Sequence, residues 1–179
     1  VDRAGICNED VVVISGAGTL GLGMVTYAKM KNPAKLISLD MVEERLEKAK
    51  EFGADIVMNP GKGNVVEKIL ELTDGYGCDI YIEATGHPSS VKQGLNMIRK
   101  LGTFVEFSVF GEETTVDWSV IGDRKELDVL GSHLSPYCYP FVIENIMNGK
   151  LKTDGIVSHV FHIEEWEKAF EYAAGSHGD

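Results

Sequence analysis

The chain has 179 residues, enough for one well-cored domain but few for two, and 44% of them are hydrophobic. Its formal net charge of −11 opposes general binding to nucleic acid or to an anionic membrane, because phosphate groups repel such a surface. No apolar run approaches the roughly 20 residues that span a bilayer. The composition therefore predicts an ordinary soluble globular protein.

Three cysteines are scattered along the chain and form no C-x-x-C pair, so the sequence predicts neither a disulfide framework nor a thiolate zinc site. The N-terminus has no basic region followed by an apolar segment, as a secretion signal would. We therefore expect a reducing, cytoplasmic location.

Strand-like and helix-like segments alternate along the chain, which predicts parallel β-α-β units in a doubly wound, three-layer sheet forming one domain. The predicted strands cover residues 11–15, 36–39, 56–58, 78–83, 102–107 and 127–131. The predicted helices cover residues 19–31, 42–52, 65–73, 88–98, 139–147 and 164–174, and a short extended piece covers 157–161. There is no internal repeat, low-complexity tract or long linker.

A glycine-rich motif, G-A-G-T-L-G, follows the first predicted strand and has the G-x-G-x-x-G spacing of a dinucleotide-binding turn. Gly16 permits the tight turn, Gly18 has no side chain to keep a pyrophosphate away, and Gly21 lets the helix pack close to the sheet. The helix N-terminus offers free N–H groups to phosphate. The alternative is a tight strand–helix turn without a ligand.

Asp40 stands at the C-terminal end of the second predicted strand, directly after residue 39, where a carboxylate accepts hydrogen bonds from an adenosine ribose. Because a carboxylate repels a 2′-phosphate and Met41 and Val42 supply no cation, the sequence favours NAD over NADP. Arg45 could reach the ribose or adenine, although its charged run is also typical of a solvated helix face. Methyltransferases use similar folds, but they usually carry an acidic residue in or before the first strand. Val11–Ser15 contains no acidic residue, which disfavours a methyltransferase.

The order of several longer motifs resembles the medium-chain zinc-dependent alcohol and polyol dehydrogenases from about residue 5 to the end. These motifs are G-A-G-T-L-G-L, E-E-R-L-E-K-A-K-E-F-G-A-D, D-I-Y-I-E-A-T-G-H-P-S-S-V, I-R-K-L-G-T-F-V and K-E-L-D-V-L-G-S. The sorbitol, threonine and butanediol dehydrogenase branch looks most similar. The stretch I-G-D-R-K-E-L-D-V-L-G-S-H-L-S-P-Y-C-Y-P resembles members that act on erythritol or threitol. Thr19 stands where the family often has proline, and both residues suit a helix start.

This resemblance implies a Rossmann-type cofactor domain over residues 1–179, taken from an enzyme about twice as long. In the family a separate domain carries the catalytic zinc, and a final strand follows the cofactor domain; we expect both to be absent here. The resemblance implies hydride transfer between a secondary alcohol or polyol and NAD in the full enzyme, and an inactive fragment. The alternatives are a non-catalytic nucleotide sensor and a zinc-free quinone reductase, which would usually prefer NADP.

The family pattern also implies which residues contact the cofactor. The expected contacts are Gly16, Gly18, Thr19, Leu20 and Gly21 for the pyrophosphate, Asp40 and Arg45 for the ribose, Ala84 and Thr85 on the adenosine side, and Ser108, Val109, Ser132, His133 and Leu134 near the nicotinamide. Core packing is the alternative for Ala84 and Val109. We expect no metal-binding residue, because the five histidines show no zinc spacing. We expect no catalytic residue, because the resemblance assigns the acid–base and metal chemistry to the separate domain.

Two further expectations concern residues outside the cofactor contacts. Residues 115–121 alternate in polarity and resemble the family's edge strand that pairs across a homodimer, with a surface hairpin as the alternative. Glu83 is a carboxylate in an apolar strand, and we expect it to bind a neighbouring turn.

Overall fold

The computed structural model describes residues 1–134 and 137–174. The strands are β1 (Val11–Ser15), β2 (Lys35–Leu39), β3 (Ile56–Met58), β4 (Cys78–Glu83), β5 (Ile98–Glu106) and β6 (Asp128–Gly131). The α-helices are α1 (Thr19–Met30), α2 (Glu43–Glu51), α3 (Val65–Leu72), α4 (Pro88–Met97), α5 (Tyr139–Met147) and α6 (Trp166–Ala173). Within this part of the chain, no helix is long and apolar enough to cross a membrane.

The strands form one parallel sheet in the order β3-β2-β1-β4-β5-β6. The chain runs outward from β1 to β3 and then crosses back to place β4 on the other side of β1. This is the strand order of a doubly wound Rossmann fold, and it opens a crevice at the carboxyl ends of β1 and β4. The predicted fold class is confirmed.

Two apolar layers sandwich the sheet, because successive residues of each buried strand face opposite sides. One layer joins Val12 and Ile14 of β1 to α1 and α2. The other joins Val13 of β1 to α3 and α4. Helix α5 lies on the α1 side, where the rings of Tyr27 and Phe141 have centroids 5.2 Å apart. Within this sandwich the carboxyl ends of the central strands are aligned in one row.

Some predicted elements differ from the observed ones. β5 begins at Ile98, four residues before the predicted start, and a register irregularity lies where it pairs with Cys78 and Ile80. The predicted final helix is divided into a 3-10 turn, Ile163–Glu165, and α6. The extended piece predicted at 157–161 forms no described strand.

The edge strand predicted for residues 115–121 is also not formed within the single chain. Asp117 has extended backbone, but Trp118–Val120 is a 3-10 turn. The Asp117 side chain caps this turn at the amide of Ser119. The Asp117 carboxylate accepts hydrogen bonds from the amide and hydroxyl of Ser119, and Arg124 pairs with its second oxygen at 2.8 Å. These local bonds favour a turn where the described part of the chain offers no neighbouring strand.

Candidate functional site

The predicted site residues come together because the strand ends are in register. Ser15 lies opposite both Leu39 and Glu83, and Glu83 lies opposite Glu106, so the segments that follow these strands are neighbours. Gly131 ends β6 opposite Glu106 in the same row. Residues 16–21, 40, 84–85, 108–109 and 132–134 therefore all lie along the carboxyl edge of the sheet.

The three motif glycines differ in what surrounds them. A Cβ on Gly16, whose φ is +105°, would lie 2.6 Å from the carbonyl oxygen of Ala84, so only glycine fits there. A Cβ on Gly21 would lie 1.9 Å from the carbonyl oxygen of Gly16. By contrast, a Cβ on Gly18 would meet no atom within 4 Å. Gly16 and Gly21 are thus required by the fold, whereas the space above Gly18 is open.

Helix α1 presents an uncapped N-terminus at this open space. Its N-cap is Gly18, which provides no side-chain hydrogen bond, and its first turn contains no acidic residue. Thr19 and Leu20 are exposed, with Leu20 at 64%. The first amides of a helix lack partners inside the helix and carry partial positive charge. The turn therefore leaves donors and space suited to an anion such as a pyrophosphate.

Asp40 links the end of β2 to the glycine turn. One of its carboxylate oxygens accepts a hydrogen bond from the amide of Ala17 at 2.7 Å, and the other accepts from the amide of Val42 at 2.9 Å. The side chain is 8% exposed. A carboxylate has about four lone-pair sites, so Asp40 can still accept hydrogen bonds from hydroxyl groups of a ligand. Ala17 is the partner that sequence reasoning missed, because the motif marks only the glycines.

Arg45 lies on α2, close to Asp40. Its Nη1 is 3.9 Å from the Asp40 carboxylate, and its side chain is 57% exposed. An exposed ion pair at this separation contributes little to stability, so the guanidinium is available to contact a ligand. The sequence allowed two interpretations of Arg45, a residue on a solvated helix face or a ligand contact, and both fit this position.

A second turn, after β4, is held by the buried carboxylate of Glu83. It accepts hydrogen bonds from the amide and hydroxyl of Thr85, at 2.9 and 2.5 Å, and from the amide of Gly86 at 3.2 Å. The interpretation that Glu83 binds a neighbouring turn is confirmed. Ala84 donates its amide to the carbonyl of Ser15 at 2.8 Å, and Thr85 is exposed.

The segments after β5 and β6 are open to solvent. Val109 is 92% exposed, so the alternative that it packs in the core is wrong. Ser108 donates its hydroxyl to the carbonyl of Glu83 at 3.3 Å, and Ser132 donates its amide to that of Glu106 at 2.8 Å. His133 is exposed, and Leu134 is 72% exposed. Both segments are anchored by hydrogen bonds to backbone carbonyls of the sheet, while their outer residues remain available.

The described histidine, cysteine and carboxylate side chains offer no group of three or more placed to hold a metal ion. The side chains of residues 1–134 and 137–174 thus do not fit a zinc site. They do fit a dinucleotide, because the open space at Gly18, the uncapped helix and the unused lone pairs of Asp40 lie side by side.

Comparison with known proteins identifies relatives over nearly the whole chain. Residues 19–148 match the family model described as zinc-binding dehydrogenase. An erythritol/L-threitol dehydrogenase from Mycolicibacterium smegmatis is 50% identical over 97% of this chain and 48% of its own length. A sorbitol dehydrogenase from Halalkalibacterium halodurans is 31% identical over 95% of this chain and 50% of its own length.

A solved structure described as a short chain alcohol dehydrogenase from E. coli CFT073, complexed with NADH, superimposes with a TM-score of 0.88 at 29% identity. The match covers 97% of this chain and 51% of that one. The chain thus spans about half the length of the curated relatives it matches. The predicted resemblance to alcohol and polyol dehydrogenases is confirmed, and the chain belongs to the zinc-binding dehydrogenase family.

Proposed function

We propose that this chain binds NAD(H) and forms the cofactor half of a zinc-dependent dehydrogenase of secondary alcohols or polyols. The observation that carries the proposal is the position of Asp40, whose carboxylate is fixed by the amide of Ala17 beside the open space at Gly18. Asp40 and Gly18 thus offer adjacent sites for a ribose and a pyrophosphate.

The residues have distinct roles in this proposal. The amides at the start of α1, around Thr19 and Leu20, bind the pyrophosphate, and Gly16 and Gly21 hold the turn in shape. Asp40 accepts hydrogen bonds from the adenosine ribose, with Arg45 beside it.

Other segments along the carboxyl edge of the sheet complete the proposed dinucleotide site. Ala84 and Thr85 line the adenosine side, and the open segments at 108–109 and 132–134 approach the nicotinamide, which supplies the hydride acceptor when bound. Thr85, Val109, His133 and Leu134 are exposed at the carboxyl edge of the sheet, which supports these roles.

The same carboxylate favours NAD over NADP. A 2′-phosphate would bring negative charge against Asp40, whose side chain is only 8% exposed and therefore poorly screened by water. The only cation paired with Asp40 among the described residues is Arg45, at 3.9 Å. We expect this single exposed guanidinium to offset the repulsion incompletely.

The rest of the enzyme lies outside this chain in our proposal. Since the matched relatives are about twice as long, we infer a further domain that carries the catalytic zinc, and a final strand that returns to it. The 50% identical relative is named an erythritol/L-threitol dehydrogenase, which supports a short sugar alcohol as substrate. The 179-residue chain alone should bind NADH and oxidise no alcohol.

Calorimetric titration with NAD, NADH and NADP tests the cofactor. We expect NADH to bind and NADP to bind at least about tenfold more weakly, a difference of about 1.4 kcal/mol. Equal or tighter binding of NADP would contradict the role of Asp40 and favour a quinone reductase-like domain. No binding of any dinucleotide would contradict the proposal as a whole.

Gly18→Ala separates a cofactor role from a folding role. Because its Cβ would meet no protein atom within 4 Å, the variant should fold with unchanged thermal stability. The same methyl group would occupy the space offered to the pyrophosphate, so NADH affinity should fall about tenfold, by about 1.4 kcal/mol. An unchanged dissociation constant in the folded variant would show that the pyrophosphate lies elsewhere.

We also infer a homodimer formed through residues 115–121. We infer further that the protein is cytoplasmic and does not bind nucleic acid. Trp118 is 76% exposed, an unusual position for a large apolar side chain, while Val116 packs against the core beneath it. The three cysteines are scattered along the sequence and form no C-x-x-C pair, which suits a reducing compartment. Sedimentation analysis should give twice the 19.6 kDa of one chain, and a monomer would contradict the interface.

A further inference from the structure

The turn after β3 is bonded to the segment that follows Asp40. The side-chain amide of Asn59 donates to the carbonyl of Met41 at 2.9 Å and to Oε1 of Glu43 at 2.6 Å. The side-chain oxygen of Asn59 accepts from the amide of Gly61 at 2.8 Å. One side chain therefore joins the turn after β3 to the segment between β2 and α2.

Glu43, the first residue of α2, also binds a cation from this turn. Its Oε1 atom lies 2.9 Å from Nζ of Lys62. The hydrogen bonds from Asn59 and then from Lys62 lower the pKa of Glu43 below its ordinary value, so its carboxylate is ionised at neutral pH. A negative charge is thus held three positions along the chain from Asp40.

Helices α1 and α2 both begin at the carboxyl edge of the sheet, yet their first turns differ in charge. Neither N-cap residue provides a side-chain hydrogen bond, so both helices begin with free amides. The first turn of α1 contains no acidic residue, whereas that of α2 contains Glu43 and Glu44. Acidic side chains offset the partial positive charge of a helix N-terminus. An anion is therefore favoured at α1 and disfavoured at α2.

The cations near the start of α2 are paired as well. Arg45 lies 3.9 Å from the Asp40 carboxylate, and Lys62 is bound to Glu43. We propose that Glu43 is a second determinant of cofactor preference beside Asp40. Its carboxylate opposes a 2′-phosphate at the start of α2 and holds the ammonium of Lys62, which would otherwise be free to bind that phosphate. This inference rests on the proposed binding of NAD(H).

Calorimetric titration of Glu43→Gln with NADH and NADPH, which differ only by the 2′-phosphate, tests the role of the charge. Glutamine keeps an oxygen that can accept from Asn59 but removes the negative charge. NADPH affinity should rise about fivefold and NADH affinity should change less than about 1.5-fold. Because Asp40 remains, NADH should still bind more tightly. An unchanged ratio of the two affinities, or no NADPH binding to the variant at about 5 mM, would overturn the proposal.

Glu47→Gln is the matched control. Glu47 lies one turn further along α2 and pairs with Lys50 at 2.7 Å, as Glu43 pairs with Lys62. The substitution changes the net charge equally, yet it should change NADPH affinity less than about 1.5-fold. An equal gain in both variants would assign the effect to the overall charge of the protein and overturn the role of Glu43.

Lys62→Ala tests the cation. Added to Glu43→Gln, it should return NADPH affinity to within about twofold of the unmodified chain, because no freed ammonium is left. Alone, it should change NADPH affinity less than about twofold, because the lysine is already paired. A gain that persists in the double variant would contradict the part given to Lys62. A large loss in the single variant would show that Lys62 already reaches the phosphate, which would also contradict it.

Ionic strength provides a readout that a structural role of Glu43 would not move. The gain in Glu43→Gln should fall below about twofold in about 1 M salt, where the Debye length is about 3 Å. A gain that survives this screening would contradict an electrostatic cause. The two levels of the argument fail separately. If the unmodified chain does not bind NADH, the proposed function fails, whereas NADH binding with an unchanged ratio in Glu43→Gln overturns only the role of Glu43.

Discussion

The turns after β1 and β4 are neighbours, joined by the hydrogen bond from Ala84 to Ser15, yet they are stabilised in opposite ways. The second turn is held by the carboxylate of its own strand, Glu83, which meets three donors and is fully buried. The first turn is held by Asp40, which follows a different strand, β2, and retains unused lone pairs.

This difference separates a structural carboxylate from one available to a ligand. Glu83 is enclosed by the turn that it supports, so its oxygens have little left to offer. Asp40 supports a turn of glycines that has no side chain above Gly18, and it lies at the border of that open space. Three substitutions, in order of decreasing expected effect, test whether the two turns differ in this way.

Gly21→Ala should produce the largest effect, because its Cβ would lie 1.9 Å from a backbone carbonyl oxygen that cannot move aside easily. We expect a loss of about 4 kcal/mol or more in the free energy of unfolding, measured by urea denaturation. Gly23→Ala lies in the same helix with no atom within 4 Å of its Cβ and should stabilise the protein by about 0.5–1 kcal/mol. Similar effects in both variants would show that the turn does not require glycine.

Glu83→Ala should destabilise the protein by about 2–4 kcal/mol, because the donors of Thr85 and Gly86 lose a buried acceptor. Glu71→Ala removes an exposed carboxylate of α3 and should change the free energy of unfolding by less than about 0.5 kcal/mol. Thermal or urea denaturation measures both. If Glu83→Ala folded with full stability but lost NADH binding, Glu83 would belong to the ligand site.

Asp40→Ala should lower NADH affinity about 100-fold, by about 2.7 kcal/mol, with a smaller effect on stability. Asp40→Asn keeps an oxygen that can accept from Ala17, so we expect only about a tenfold loss. Both variants should narrow the difference between NAD and NADP, measured by calorimetry. An unchanged preference would assign the discrimination to another residue.

The sequence predicts most of the sheet because its signals are local. The bounds of β1, β3 and β4 match the predicted ones, since each strand is a short apolar run ended by a turn residue. Parallel crossovers then bring Gly16 and Asp40 to the same edge, as the motif spacing implies.

Features that depend on long-range contacts escaped prediction. The alternating pattern at 115–121 predicts a strand, yet a strand needs a partner edge that the described residues of the single chain do not supply. The start of β5 depends on pairing with Cys78, and the exposure of Val109 depends on how the chain leaves the sheet. The hydrogen bond between Asp40 and Ala17 joins residues 23 positions apart, and no local pattern encodes it.

That hydrogen bond restricts how cofactor preference can change in this protein. Replacing Asp40 with a small neutral residue to admit a phosphate would also remove the acceptor that holds the amide of Ala17 in the glycine turn. A switch toward NADP would therefore need two coordinated changes, one that supplies positive charge near Arg45 and one that restores an acceptor for Ala17. Selection for a new redox cofactor would first pass through a variant with a loosened glycine turn, which would make the proposed preference for NAD hard to reverse by single substitutions.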